Sequence, residues 1–208
     1  KTISASALPD KKTTTKYNVK VLSNFYKALG YNRVVNKSDN EHSLVSLKMA
    51  AIKEAGIEGV PKESPVGDHA ANGEIENVVK DIQRKVRANK SSLEAKLKMR
   101  LEDRDPVVQW LPRFSADQIT RFKVGPDGKT AEQRRTGRAW RRFALEFGEQ
   151  VMFTPVGAKG KKNDMTQKMF KGRYVGHHSR HGSVLVMTSA GVAVASSYHR
   201  LPDSERWS

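Results

Sequence analysis

The chain has 208 residues, of which 38 are Lys or Arg and 22 are Asp or Glu, so its formal net charge is +16 and its pI is about 10.1. A surplus this large indicates a polyanionic partner, with nucleic acid ahead of an anionic membrane surface. The lack of cysteine excludes disulfides, thiolate catalysis and cysteine-based zinc sites. No apolar run is long enough to predict a membrane span, and no signal-peptide pattern occurs. Because the chain starts without an initiator Met, we expect a fragment of a longer protein.

Helical and strand patterns alternate along the first 60 residues. β-Branched residues at the centre of 31–37 favour a strand, and apolar residues at helical spacing favour a helix on each side of it. This order predicts an α/β layer with parallel strands, followed by a loop over 61–71. The predicted elements are the end of a strand at 2–8, helices at 18–29 and 43–55 that stop at Gly30 and Gly56, a strand at 31–37 and a short buried strand at 57–60.

The longest pattern is a helix from Glu74 to about Arg100, where neither Gly nor Pro occurs. Its apolar stripe is predicted to face a core, and it consists of Ile75, Val79, Ile82 and Val86. A charged stripe, turned by roughly 100° from the apolar one, consists of Glu76, Lys80, Gln83, Arg84 and Arg87. The charged stripe fits either a track for a nucleic acid or an ordinary solvated face with Glu–Lys pairs.

Two carboxylates in this part of the chain could share a metal site. Asp39 follows the predicted strand at 31–37, and Glu76 lies at the start of the long helix. Two-metal sites for phosphoryl transfer use acidic side chains that converge from separate elements. The sequence therefore makes Asp39 and Glu76 candidate metal ligands.

A further amphipathic helix is predicted from Asp105 to Phe122, with Pro112 kinking or dividing it. A turn-rich stretch at 123–128 marks a domain boundary. Trp110 and Trp140 are interpreted as core or interface anchors rather than as base-stacking platforms. Five arginines flank Trp140 within nine residues, namely Arg134, Arg135, Arg138, Arg141 and Arg142.

From Phe147 onward, short strands separated by glycine and polar turns predict a small barrel. The strands are expected at 150–154, 172–176, 183–188 and 192–197, with a basic insertion that carries Lys159, Lys161 and Lys162. The histidines of this region have no cysteine or acidic residue near them, so we interpret them as turn and strand residues rather than zinc ligands. They are His177, His178, His181 and His199.

Four motifs, in order along the chain, resemble those of copia-type integrases from LTR retrotransposons. S-D-N-E at 38–41 resembles the motif around that family's second catalytic Asp, and N-G-E-I-E at 72–76 resembles the motif that ends in its catalytic Glu. The stretch 123–138 resembles the family's connector, and 147–207 resembles the SH3-like barrel that follows its core. The resemblance covers nearly the whole chain.

The resemblance implies three parts. Residues 1–122 would be the C-terminal portion of an RNase H-like catalytic core with trailing helices, an α/β fold. Residues 123–146 would be a basic, helical connector, and residues 147–208 a small all-β SH3-like barrel. In the full-length parent, two Mg²⁺ or Mn²⁺ ions would support DNA strand transfer, with Asp39 and Glu76 as catalytic metal ligands.

The same resemblance implies the partners. Retroelement ends and target DNA would bind a homo-oligomer in the nucleus, and neither a membrane nor a small-molecule substrate is expected. The residues that would contact or surround the nucleic acid are Asn40, Asn72, Lys80, Gln83, Arg84, Arg87, Arg138, Arg141, Arg142, Lys159, Lys161 and Lys162.

The chain departs from the family pattern in three places. The family's first catalytic Asp and its zinc module have no counterpart, and Glu41 stands where the family has Gly. We therefore expect this chain alone to bind one metal weakly and not to join DNA strands. The alternative is a non-enzymatic nucleic-acid or chromatin-binding module on the same fold. A ribosomal-type RNA binder would explain the charge but would leave Asp39 and Glu76 unexplained.

Overall fold

The computed structural model describes residues 1–8, 15–38, 41–63, 73–142, 145–157, 167–178 and 182–207. The chain divides into two compact units. Residues 6–81 form the N-terminal unit, and residues 1–5 together with 82–208 form the C-terminal unit. The three domains expected from the sequence stay a prediction, as do the names RNase H-like and SH3-like.

The N-terminal unit is built from two helices and two parallel strands. Its elements are α1 (Lys16–Leu29), β1 (Arg33–Ser38), α2 (His42–Ala55) and β2 (Glu58–Glu63). The strands pair in register from Arg33 opposite Glu58 to Ser38 opposite Glu63, and α1 packs against α2. The predicted parallel pairing is confirmed, and both helices end where the glycines predicted.

β2 differs from its prediction in two ways. The strand continues through Pro61 to Glu63, where the sequence predicted a loop, and its described side chains are partly exposed rather than buried. Proline is tolerated in a strand that has a free edge. In this two-stranded sheet each strand has one such edge, so Pro61 does not stop the pairing.

The apolar core of the N-terminal unit is small. Among its described residues the buried apolar side chains are Tyr26, Leu47 and Ala51. Its exposed large apolar side chains are Leu8, Tyr17, Tyr31, Val35, Val45, Met49, Ile75 and Val79. Ile75 and Val79 were predicted to face a core, and this is wrong, since they are 54% and 45% exposed.

The C-terminal unit contains a closed antiparallel barrel of four strands. The long helix α3 (Gly73–Leu97) begins in the N-terminal unit and ends in this one. The elements that follow α3 are a 3₁₀ turn (Val108–Trp110), α4 (Leu111–Phe122), α5 (Ala131–Thr136), β3 (Gln150–Pro155), β4 (Phe170–His177), β5 (Val184–Thr188), β6 (Gly191–Arg200) and a 3₁₀ turn (Asp203–Glu205).

One apolar core joins α3, α4 and the barrel. Phe114 of α4 packs against Phe147 at 4.9 Å and edge-on against Tyr174 of β4 at 5.9 Å between ring centres. Leu93 of α3 is 2% exposed and contacts Gly148, where an added Cβ would lie 2.5 Å from the leucine Cδ1. Gly148 also has a φ of +80°, so glycine is required there for both conformation and space.

Two local predictions need correction in this unit. Residues 1–8 form no strand, because Ile3 exchanges hydrogen bonds with the Thr120 hydroxyl of α4 instead (2.9 and 3.2 Å). α4 starts at Leu111 rather than Asp105, with Pro112 in its first turn, where proline is tolerated. The connector, which was expected to be helical, contains α5, whose capping box joins Thr130 to Gln133.

Glu149 is a buried carboxylate, with 0% exposure, just before β3. Arg200 at the end of β6 donates to its two oxygens at 2.5 and 2.9 Å, and the main-chain N–H of Glu146 donates to it at 3.0 Å. The guanidinium of Arg206 lies 3.6 Å away. These contacts tie the last residues of the chain to the start of the barrel.

We expect Arg200→Met to lower the free energy of unfolding by about 2–3 kcal/mol, because it leaves a buried charge with fewer donors. Urea denaturation measures this difference. Arg104→Met is the matched control, since Arg104 is exposed, and it should change stability by less than about 0.5 kcal/mol. Equal effects of the two substitutions would show that the Glu149 contacts do not stabilise the barrel.

Candidate nucleic-acid interface

The positive charge of the chain is concentrated in one unit. The C-terminal unit has 27 Lys and Arg against 12 Asp and Glu, a surplus of 15 positive charges. The N-terminal unit has 11 basic and 10 acidic residues, so it is nearly neutral. Any attraction for a polyanion therefore comes almost entirely from the C-terminal unit.

The charged stripe of α3 lies at the surface. Its members Glu76, Lys80, Gln83, Arg84 and Arg87 are all exposed. The helix itself was predicted from Glu74 to about Arg100 and is observed over Gly73–Leu97, so its existence is confirmed. That the stripe contacts a nucleic acid stays a prediction.

The five arginines of the connector fall into two groups. Arg134 forms an ion pair with Asp127, and Arg135 donates to both oxygens of Glu132 at 2.9 Å. The guanidinium of Arg134 lowers the pKa of Asp127, as does a main-chain hydrogen bond. These two arginines are therefore held by carboxylates of α5 and the preceding turn.

The second group is exposed, and it consists of Arg138, Arg141 and Arg142. None of the three has a carboxylate partner among the residues that the structure describes. They lie in the arginine segment, residues 138–142, which follows α5 and has no helix or strand. Their charges are available for an external anion.

Trp140 holds the middle of this segment against α4 and the barrel. The guanidinium carbon of Arg121 lies 4.0 Å from the centre of the Trp140 ring, and that of Arg142 lies 5.6 Å from it. The ring of His177 contacts it edge-on at 5.0 Å. The prediction that Trp140 is an anchor is confirmed, and Trp110 likewise packs against the barrel core.

His177 is a buried, neutral histidine in cationic surroundings. It is 3% exposed, and its Nδ1 lies 3.0 Å from Arg121 Nη1 and 2.7 Å from the Tyr174 hydroxyl. A guanidinium can only donate, so Nδ1 accepts and the ring proton sits on Nε2. Burial lowers the pKa of His177 to about 3, and the charges of Arg121 and Arg142 act in the same direction.

The sequence missed Arg121 and His177 as members of this cluster. Arg121 shows only a helical i,i+4 spacing from Asp117, with which it pairs at 3.5 Å. His177 was expected in a turn but ends β4 with its side chain inside. Neither position carries a local signal for these contacts, which form between α4, the arginine segment and β4.

Six predicted site residues lie outside the described part of the chain, and they are Asp39, Asn40, Asn72, Lys159, Lys161 and Lys162. Of the two predicted metal ligands the structure thus describes only Glu76, an exposed residue in the first turn of α3. Among the described residues, no group of three or more His, Asp or Glu side chains could hold a metal ion. No described helix is long and apolar enough to cross a membrane.

No protein-family model and no curated protein sequence matches the chain. Among solved structures, this chain is similar to one chain in a cryo-electron microscopy structure of the simian T-cell lymphotropic virus intasome in complex with the PP2A regulatory subunit B56γ. The TM-score is 0.45 and the identity 11%, over 97% of this chain and 68% of that one. This similarity does not assign the chain to a family.

His177 should make the stability of the protein depend on pH. Its pKa is about 3 in the folded protein against about 6.5 in the unfolded chain, so the unfolded chain takes up the proton first. The contribution of neutral His177 to the free energy of unfolding is therefore complete above about pH 6.5, and it is lost as the pH falls toward about 3. From about pH 7.5 to about pH 5, we expect a loss of about 2 kcal/mol in the free energy of unfolding.

Urea denaturation at the two pH values measures this loss. His177→Asn offers an amide oxygen near the position of Nδ1 but has no titrating ring. The free energy of unfolding of this variant should therefore fall by about 2 kcal/mol less than that of the original protein over the same pH interval. His199→Asn is the control at an exposed strand position and should keep the original pH dependence. Parallel curves for the original protein and His177→Asn would contradict the assignment.

Proposed function

We propose that this chain binds nucleic acid through the C-terminal unit. The observation that carries the proposal is the surplus of 15 positive charges in that unit beside a nearly neutral N-terminal unit. Exposed arginines without carboxylate partners among the described residues, Arg138, Arg141 and Arg142, supply donors for phosphate oxygens. Such contacts read charge and backbone geometry rather than base sequence, so binding should be largely non-specific.

We further propose that the parent protein is a DNA integrase of the copia type. The support is the order of four motifs along the sequence, which ends in a basic connector and a barrel-forming region. Retroelement ends and target DNA are the proposed partners, homo-oligomerisation and a nuclear location are part of the same proposal, and the chain alone is expected to be inactive. The non-enzymatic nucleic-acid-binding module remains the alternative, because the surplus charge lies outside the unit that holds Asp39 and Glu76.

Binding of DNA should depend on where the charge lies, not only on how much there is. Changing Arg138, Arg141 and Arg142 together to Gln should lower affinity and reduce the slope of log affinity against log salt by about 3, at roughly 0.9 per phosphate contact on duplex DNA. The same comparison with Lys80, Arg84 and Arg87 changed to Gln tests the charged stripe of α3. Fluorescence anisotropy with a labelled duplex at several salt concentrations gives each slope.

The matched control changes Lys16, Lys20 and Lys27 to Gln, three exposed lysines of α1. It also removes three positive charges, but from the nearly neutral unit. We expect the slope to stay within about 0.5 of the original value. Equal losses in the α1 and connector variants would contradict a localised surface, and no binding by the original chain at low salt would overturn the proposed function.

The proposed magnesium or manganese site makes a separate prediction. The chain has Asp39 and Glu76 but no counterpart of the family's first catalytic Asp, so we expect it to bind Mn²⁺ weakly through these two carboxylates. Glu76→Gln should abolish this binding in a calorimetric titration, because carboxylates are the hard oxygen ligands that these ions need. Glu74→Gln changes an exposed carboxylate in the same turn and should leave binding unchanged. Identical titrations for both variants would remove Glu76 from the site.

A further inference from the structure

The arginine segment has few main-chain restraints of its own. Arg138 hydrogen-bonds through its main chain to the Thr136 side chain at 3.1 and 3.4 Å, next to the end of α5. Within the described part of the chain, no main-chain hydrogen bond holds residues 139–142 to another main-chain group. A segment of this kind would sample many conformations unless side chains fixed it.

The side chain of Trp140 restrains the conformation of this segment. Its ring lies against the guanidinium of Arg121, which α4 positions, and against the edge of the buried His177 ring. Arg121 is itself held by His177 Nδ1 at 3.0 Å and by Asp117 at 3.5 Å. The surface that receives Trp140 therefore belongs to α4 and β4, elements that share the core of the barrel.

Arg142 completes the attachment from the other end of the segment. Its guanidinium lies 5.6 Å from the centre of the Trp140 ring, and its Nη1 donates to the carbonyl oxygen of Gly182 at 2.5 Å. A Cβ on Gly182 would lie 3.3 Å from both the Arg142 Nη1 and the Trp140 Cη2. With a φ of +62° as well, position 182 favours glycine, and this leaves room for the two side chains.

We propose that Trp140 is a positioning residue for phosphate binding: by seating on Arg121 and His177, it holds Arg138, Arg141 and Arg142 as a fixed array for the backbone of a nucleic acid. This inference rests on the proposed function. It differs from base stacking, because Trp140 acts through its protein contacts and not through the bases. A preorganised array binds more tightly than a mobile one, since less conformational freedom is lost on binding.

The test is Trp140→Ala in the full chain, with affinity measured for a duplex and for a single strand of the same length. The substitution removes no charge, so the salt slope should stay the same while affinity falls about 10-fold on both nucleic acids. Trp140→Phe, which keeps a ring against Arg121, should recover most of the loss. A loss confined to the single strand would indicate base stacking instead and would overturn the proposal.

Trp207→Ala is the matched control. Trp207 also packs against the barrel core and has a cation, Lys96, 4.5 Å from its ring centre, but it lies outside the arginine segment. It should lower thermal stability without lowering affinity by more than about 2-fold. Equal losses of affinity for the two alanine variants would show that Trp140 acts only through overall stability.

A double-substitution cycle separates positioning from a merely structural role. If Trp140 fixes the array, Arg141→Gln should cost affinity in the original chain and clearly less in the Trp140→Ala background. Additive effects would contradict the proposal while leaving nucleic-acid binding itself intact. If the original chain binds neither nucleic acid, the proposed function fails and this inference fails with it. Additive effects in a chain that does bind reject this inference alone, so the two failures are distinguishable.

Discussion

Repulsion among a surplus of 15 positive charges is the constraint that the C-terminal unit has to meet. Part of the charge is balanced internally: Arg200 and Arg206 surround the buried carboxylate of Glu149, while Arg134 and Arg135 pair with acidic side chains near α5. The remaining arginines of the connector, Arg138, Arg141 and Arg142, are exposed, so water and salt screen their charges. The fold thus uses some cations as structural contacts and leaves others available for an external anion.

The junction of α4, the arginine segment and β4 shows how this division is made locally. Arg121 is nearly buried, so its charge needs acceptors, and it finds Asp117, the Trp140 ring and the unprotonated Nδ1 of His177. Burial lowers the pKa of His177, and the two guanidinium groups that a protonated ring would face lower it further. The neutral imidazole is therefore part of what allows Arg121 and Arg142 to lie close together at one indole.

Local sequence patterns predicted most helices and strands, whereas the features that were not predicted depend on tertiary contacts. Helix α3, the parallel pairing of β1 with β2, and the barrel strands follow from periodicity and turn residues, and the Thr130–Gln133 capping box could have predicted α5. Periodicity could not show that Ile75 and Val79 would be exposed, because burial depends on which element packs against them. For the same reason the contact of His177 with Arg121 had no sequence signal. The motifs around Asp39 and Glu76 predict a metal site, and the described residues contain only its second ligand.

We propose that the arginine segment of the C-terminal unit, and not the nearly neutral N-terminal unit, contacts the nucleic acid. Photo-cross-linking of the full chain to duplex DNA that contains bromouracil, followed by mass spectrometry of the peptides, tests it most directly. We expect adducts in peptides that cover the arginine segment at 138–142 and few in peptides from 15–63. Adducts concentrated in 15–63, with the arginine segment unmodified, would contradict it.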